Sequence, residues 1–181
     1  DVAQKIFDDM SAFSSYAFNK SHAAAYALVA YKTAYLKCHY PKEYLASLLT
    51  SVLDSSGKIS QYTAECKRMG ITVMPPSVNE SLEGFTPVKE GIRFGLLAVK
   101  NLGRGVIENL IAEREKNGKY VSLYDFCKRN HSREFNRRAL EGLIKSGALD
   151  TLEENRKKMI FSIDSVLSVV AEESRYSGVG Q

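Results

Sequence analysis

The sequence of 181 residues has no tryptophan, only three cysteines and no long apolar segment. No stretch approaches the roughly 20 apolar residues that a membrane-spanning helix needs. Cys38, Cys66 and Cys127 lie far apart and never form a C-x-x-C pair, which argues against a disulfide framework or a zinc site. We therefore expect three buried, unpaired thiols in a protein of the reducing cytoplasm.

Motifs for chemical catalysis are also missing. The sequence has no Gly-rich phosphate loop, no G-x-G-x-x-G and no H-E-x-x-H. A two-metal site needs clustered carboxylates, yet Asp8 and Asp9 form the only adjacent aspartate pair. His22, His39 and His131 have no evident triad partner. We therefore predict no catalytic residue, no metal ligand and no cofactor in this chain.

The charge is unevenly distributed, although the net charge is only +4. Residues 1–57 hold five basic and five acidic side chains, so this part is balanced. Residues 93–145 hold twelve Lys or Arg against six Asp or Glu. Such a surplus suits a phosphate-rich partner, and a solvated surface without a partner is the alternative.

Hydrophobic spacing predicts a mainly α protein with a small β element. The sequence opens without Met and already with helical spacing, so we expect a piece of a longer protein. The first helix should end near Phe13, and Ser21 is a suitable N-cap for a second helix that begins at His22. The β element is expected at 71–94, where Pro87 would confine its strand to an edge.

Short helices resume after the β element. Ser122 and Thr151 each begin a pattern that is typical of a capping box at a helix N-terminus. The sequence from 174 onward is rich in Ser and Gly and is expected to be disordered. We therefore divide the chain into a helical part (1–70), a β linker (71–94), a second helical part (95–173) and a disordered linker (174–181).

Two helix–turn–helix units in the second helical part resemble helix-hairpin-helix motifs. They read LLAVKNLGRGVIENLI from Leu96 and LEGLIKSGALDTL from Leu140. In such a motif the unpaired N–H groups of the turn and the helix dipole attract a phosphate, and glycine allows the backbone to approach closely. The predicted DNA-binding residues are Lys100, Asn101, Leu102, Gly103, Arg104, Gly105, Arg137, Arg138, Lys145, Ser146, Gly147 and Ala148.

Both turns depart from the usual Gly-hydrophobic-Gly pattern. Asn101 takes the leading glycine position in the first, and the second reads Ser146-Gly147-Ala148, so we expect the second hairpin to make the weaker contact. Contacts of this kind go to phosphate and carry no sequence information. The alternative is a pair of ordinary helical hairpins that only pack.

A third candidate site lies in FNKSHAAAYA, residues 18–27. Asn19, Lys20, Ser21 and His22 place polar and cationic groups at a predicted helix N-terminus, which is a suitable position for a phosphate. A purely structural cap is the alternative. Local sequence alone does not decide between the two.

The sequence is similar to the alpha subunits of bacterial DNA polymerase III, the C-family replicative polymerases. The longest matching segment is FNKSHAAAYALVAYKTAYLKCHYP, residues 18–41. Further segments follow in the family's order, namely ITVMPPSVNESLEGF, IRFGLLAVKNLG, GKYVSLYDFCKR and LEGLIKSGALD. The resemblance covers residues 1–165 and rests on these sequence motifs, not on amino-acid composition.

The resemblance implies a function for each part. Residues 1–70 would belong to the polymerase fingers, where Asn19, Lys20, Ser21 and His22 would face the incoming deoxynucleoside triphosphate. Residues 93–150 would form a tandem helix-hairpin-helix element that grips double-stranded DNA. The whole protein would be a template-directed DNA polymerase that uses Mg²⁺, but its catalytic aspartates match nothing here, so this chain alone is expected to be inactive.

The resemblance also implies partners outside this chain. A sliding-clamp-binding segment follows a Ser/Gly linker in the family, so Gln181 would be its first residue, and other replicase subunits would bind elsewhere. No membrane partner is expected. Two alternatives remain: a stand-alone helix-hairpin-helix module of a repair protein, and a helical protein–protein scaffold.

Overall fold

The structure is a computed structural model that describes residues 1–15, 20–132 and 134–177. It confirms the mainly α fold with a small β element. The elements are α1 (Val2–Ser15), α2 (Lys20–His39), α3 (Pro41–Thr50), α4 (Ser56–Arg68), β1 (Thr72–Met74), β2 (Thr86–Val88), β3 (Gly91–Arg93), a 3₁₀-helix (Leu96–Ala98), α5 (Arg104–Asn117), α6 (Leu123–Arg129), α7 (Arg137–Ser146) and α8 (Arg156–Ser177).

The chain forms two compact units, Asp1–Pro41 and Lys42–Gln181. In the first unit α1 runs to Ser15 rather than ending near Phe13. Helix α2 already begins at Lys20, so Ser21 lies inside the first turn and is not the predicted N-cap. The large apolar side chains of this unit are exposed, among them Val2, Ile6, Phe7, Met10, Phe13, Tyr26, Leu28, Val29, Tyr31, Tyr35 and Leu36.

The sheet of the second unit has the strand order β1-β3-β2. Strands β2 and β3 form the predicted antiparallel hairpin, and Pro87 lies on an edge strand as expected. Strand β1 pairs in parallel with β3, with Thr72 opposite Gly91. Gly91 has a φ of 154°, and a Cβ there would lie 2.1 Å from the Thr72 carbonyl oxygen. Only glycine therefore fits this position of the sheet.

Helices α3 and α4 pack against this sheet. Leu45 and Leu49 of α3, Cys66 of α4 and Ile92 of β3 are fully buried in one apolar cluster, together with Phe85. The compact unit therefore begins at residue 42, whereas the sequence placed a boundary near residue 70. Helices α3 and α4 bury their apolar faces by packing them against the sheet. This packing joins residues 42–70 and the β element in one compact unit.

A larger core lies among α5, α6, α7 and α8. Its fully buried side chains include Ile107, Leu110, Phe126, Leu140, Leu143, Ile144, Leu149 and Ile163. Helix α8 contacts both α6 and α7. This core fixes the position of α7 relative to the N-terminal end of α5.

Arg129, at the end of α6, connects several segments of this core. Its Nε donates to the Glu113 carboxylate (3.0 Å), and its Nη2 donates to the carbonyls of Glu113 (3.2 Å) and Gly118 (2.8 Å). Its Nη1 donates to the Asp125 carboxylate (3.3 Å). The guanidinium also lies 4.4 Å from the ring centroid of Tyr120. One side chain thus holds the end of α5 against α6.

The helix boundaries follow capping side chains. Ser122 accepts a hydrogen bond from the Asp125 N–H, which confirms the first predicted cap. The second prediction was wrong: α8 begins at Arg156, and Asn155, not Thr151, accepts from the Lys158 N–H. Helix α8 also continues to Ser177, so residues 174–177 are helical rather than disordered. Residues 178–181, with the predicted clamp-segment start at Gln181, lie outside the described residues.

Cysteine burial corrects another expectation. Cys66 and Cys127 are buried, whereas Cys38 on α2 is exposed. The exposure of Cys38 follows from α2, which buries none of its described side chains. None of the described helices is both long and apolar enough to span a bilayer.

At about pH 8, Ellman's reagent is expected to modify Cys38 rapidly and the other two thiols only on unfolding. Burial raises the pKa of the Cys127 thiol to about 12 and also raises the pKa of Cys66, so neither forms reactive thiolate in the folded protein. One fast equivalent in buffer and three in denaturant would agree with the structure. A fast reaction that survives Cys38→Ser would contradict it.

Candidate nucleic-acid interface

The first predicted hairpin forms a turn between the 3₁₀-helix and α5. Asn101 has a φ of 64°, in the left-handed region that asparagine tolerates better than most residues, so it replaces the leading glycine of the motif. Leu102 packs against the large core and anchors the turn. The turn is thus held by its apolar centre while Lys100 and Asn101 face solvent.

The N-terminus of α5 at this turn is open. Gly103 precedes the helix, and among the described residues no side chain caps it, in contrast to the side-chain caps at Ser55, Ser122 and Asn136. A Cβ at Gly103 would have no atom within 4 Å. The first N–H groups of α5 and the positive end of its dipole are therefore accessible to an anion.

Helix α7 passes directly beside the turn. A Cβ on Gly142 would lie 2.5 Å from the Lys100 carbonyl oxygen, so only glycine allows this approach. The turn and α7 form one side of a groove of about 780 Å³, which we call the turn–α7 groove. Its lining residues are Pro75, Pro76, Phe94, Ala98, Val99, Lys100, Asn101, Arg138, Glu141, Gly142, Lys145 and Ser146.

Two cations of this groove lack a carboxylate partner. In the described part of the chain, no ion pair involves Lys100 or Arg138, and both side chains are exposed. Lys145, by contrast, donates to Glu141 at 2.5 Å. That hydrogen bond lowers the pKa of the Glu141 carboxyl, which keeps it ionised and partly neutralises the groove. Lys100 and Arg138 therefore supply the uncompensated positive charge.

The other predicted cations also have acidic partners. Arg104 pairs with Glu83 at 3.0 Å, and Arg137 pairs with Asp164 at 2.9 Å. Gly105 lies in the first turn of α5, where a Cβ would come 3.0 Å from the Glu134 carboxylate. Because Arg104 and Arg137 are paired with carboxylates, their charge is less available than that of Lys100.

The turn of the second hairpin is closed rather than open. Ala148 is fully buried; its N–H donates to the Leu143 carbonyl, and its own carbonyl accepts from the Val78 N–H at 2.9 Å. A Cβ on Gly147 would lie 2.3 Å from the Arg156 guanidinium, which is held by Asp150. Gly147 and Ala148 are thus buried in the structure, whereas the sequence analysis expects a DNA-facing backbone there.

Arg156 accounts for this difference between expectation and structure. It lies nine residues beyond Gly147 and folds back over the turn, which no local pattern reveals. The second hairpin instead offers side chains of α7. Ser146 lines the turn–α7 groove, with its hydroxyl donating to the Leu143 carbonyl at 2.9 Å.

The structure adds groove residues that the sequence analysis does not name, among them Pro75, Phe94 and Gly142. Pro75 and Phe94 come from the ends of β1 and β3, in the part assigned only to a β linker. Gly142 could have been found from the sequence, because it lies inside a predicted helix. A glycine there lowers helix stability, so its presence indicates close packing against another segment.

The third candidate site lies in the first unit. Lys20, Ser21 and His22 occupy the first turn of α2 and are exposed, while Asn19 lies outside the described residues. The His22 ring lies 4.2 Å from the Tyr26 ring, one helical turn away. Within the described ranges, no group of three His, Cys, Asp or Glu residues is arranged to hold a metal ion.

Comparison with known proteins gives consistent matches. The sequence profile of the helix-hairpin-helix motif matches residues 70–159, which contain the turn–α7 groove. Proteins named DNA polymerase III subunit alpha are similar along the whole chain: 44% identity over 181 residues in Borreliella burgdorferi, 45% over 181 residues in Saccharopolyspora erythraea and 41% over 182 residues in Vibrio cholerae. Each match covers 100% of this chain but only 15–16% of the relative.

Proposed function

Because the chain belongs to the DNA polymerase III alpha subunit family, we propose that it grips double-stranded DNA at the turn–α7 groove. The observation that carries this proposal is that Lys100 and Arg138, neither of which has an ion partner among the described residues, line one groove, and that Lys100 lies just before the open N-terminus of α5. Charge and backbone donors at one place are what a DNA phosphate requires.

The grip works through the backbone and two side chains. The N–H groups after Gly103 point out of the helix end and donate to phosphate oxygens, and the dipole of α5 adds to the attraction. Lys100 and Arg138 neutralise neighbouring phosphates. Because Leu102 is already fixed in the core, DNA binding orders little additional backbone. Such contacts hold any sequence, as a polymerase requires of its product.

The remaining predicted residues contribute less. Arg104, Arg137 and Lys145 would have to exchange a carboxylate for a phosphate, so their net gain is small. Asn101 and Ser146 line the groove and supply polar contacts, and Gly105 lies in the first turn of α5. Gly147 and Ala148 are excluded from the proposed interface by their burial.

The wider activity follows from the relatives' name and the resemblance in sequence. We propose that the whole protein performs template-directed DNA synthesis in the bacterial cytoplasm, with Mg²⁺ held by aspartates of another segment. In it, Asn19, Lys20, Ser21 and His22 would contact the deoxynucleoside triphosphate. The sliding clamp and other replicase subunits would bind mainly outside these 181 residues.

Removing the charges of Lys100 and Arg138 is expected to weaken duplex binding. Lys100→Ala/Arg138→Ala should lower the affinity roughly tenfold, and the slope of log K against log salt should become shallower by about 2, because two phosphate contacts are lost. The measurement is fluorescence anisotropy with a labelled duplex between about 50 and 200 mM salt.

Lys116→Ala/Lys119→Ala is the matched control. It removes the same charge at the far end of α5, about 18 Å along the helix from Arg104. This control should leave the slope nearly unchanged. Equal losses in both variants would refute a localised grip, and salt-independent or absent binding of the parent chain would favour the protein–protein scaffold.

A further inference from the structure

Building on the proposed DNA grip, we infer that the turn–α7 groove also holds an unpaired nucleotide of the bound DNA. Its base would lie against Pro75 and Phe94, and its phosphate would lie on Lys100 and Arg138. The site would thus favour DNA in which a duplex meets a single strand over a blunt duplex.

The groove has two chemically different walls. One wall is apolar and comes from the β element and the 3₁₀-helix, with Pro75 exposed and Phe94 and Ala98 partly exposed. The other wall is cationic and comes from the turn and α7. A phosphate backbone alone would contact the cationic wall and leave the apolar wall exposed to water. A nucleotide can contact both walls, since it joins an anionic phosphate to a flat, largely apolar base.

The aromatic ring on the apolar wall is held in place. Phe94 packs edge to face against Phe85, with ring centroids 4.6 Å apart and planes inclined at 62°. Phe85 is itself buried in the smaller core. A ring fixed in this way offers its remaining surface to a base without losing rotational freedom on binding.

The volume and the polar groups of the turn–α7 groove also suit a nucleotide. A volume of about 780 Å³ is within the range of small-ligand sites, so a base with its sugar and phosphate can enter. Asn101 presents an amide, which both donates and accepts hydrogen bonds. The Ser146 hydroxyl, which donates to Leu143, remains an acceptor. Such groups pair with the edge of any base, which suits binding without sequence preference.

The inference is tested with two labelled DNAs, a blunt duplex and the same duplex with a short single-stranded overhang. The purified chain is expected to bind the overhang form roughly five- to tenfold more tightly. Phe94→Leu keeps an apolar side chain against Phe85 but removes the stacking surface. It should abolish most of this preference, so that the ratio of the affinities for the overhang DNA and the blunt duplex falls close to one.

Phe161→Leu is the matched control, because Phe161 is an exposed aromatic on α8 outside the groove. It should keep the full preference. A second readout in the parent chain is 2-aminopurine in the overhang, whose fluorescence should fall on stacking. Circular dichroism checks that each variant is folded.

The outcomes separate the two proposals. Equal affinity of the parent chain for both DNAs, or an equal loss of both in Phe94→Leu, overturns the nucleotide site and leaves the phosphate grip intact. If the parent chain binds neither DNA at low salt, the grip itself fails. A retained preference in Phe94→Leu would also overturn the assignment to this wall.

Discussion

Gly142→Ala is expected to lower the free energy of unfolding by about 2 kcal/mol and to weaken DNA binding at least tenfold. A glycine-to-alanine change inside a helix normally stabilises by roughly 0.5–1 kcal/mol. Here the sign is reversed, because the new Cβ would lie 2.5 Å from the Lys100 carbonyl oxygen. Either α7 or the turn must move, and both movements separate Lys100 from Arg138.

Gly57→Ala is the control for the direction of this stability change. Gly57 lies in the first turn of α4, and a Cβ there would meet no atom within 4 Å. This variant should be stabilised by about 0.5–1 kcal/mol and bind DNA like the parent chain. Urea unfolding and duplex titration of both variants are the measurements. A Gly142→Ala protein as stable as Gly57→Ala would contradict the close packing of the turn on α7.

Arg129→Ala is expected to destabilise the second unit by about 3 kcal/mol. The change removes hydrogen bonds to the carbonyls of Glu113 and Gly118 and leaves the carboxylates of Glu113 and Asp125 without their cation. The Arg129 side chain is only 17% exposed, so water replaces these bonds poorly. Arg129→Lys should recover little of the lost stability, since an ammonium lacks the planar set of N–H donors with which a guanidinium reaches several acceptors at once.

The adjacent Lys128 serves as the comparison. It pairs with Glu173 at 3.0 Å, but both side chains are about half exposed. Lys128→Ala should therefore change the free energy of unfolding far less than Arg129→Ala does. Urea unfolding of the three variants tests the contrast. A similar small effect for Arg129→Ala and Lys128→Ala would show that Arg129 is not the connection between α5 and α6.

Much of the fold was predictable because its signals are local. Helical periodicity, the hairpin around Gly91 and the cap at Ser122 each depend on neighbouring residues, and each was confirmed. The cap at Thr151 failed because Asn155 offers a competing acceptor four residues later. The unit boundary depends on the burial of Leu45 and Leu49 against Ile92, a contact over more than 40 residues that periodicity does not contain.

The candidate site was predictable in part for the same reason. Lys100 to Gly105 form a local turn, and the structure gives the open helix end that this sequence predicted. The burial of the second turn has no local signal, because Arg156 covers it from a different helix. The apolar wall was missed because Pro75 and Phe94 are brought to the groove by β1 and β3, not by either hairpin.

The hydrogen bond between the Val78 N–H and the Ala148 carbonyl has a consequence for the order of folding. The two residues lie about 70 positions apart, so bringing them together costs considerable chain entropy. Contacts between α7 and α8 close much shorter loops and form at lower cost. We therefore expect refolding to begin with the α7–α8 hairpin and the strand segment to join late, so the apolar wall and the cationic wall meet only in the last step.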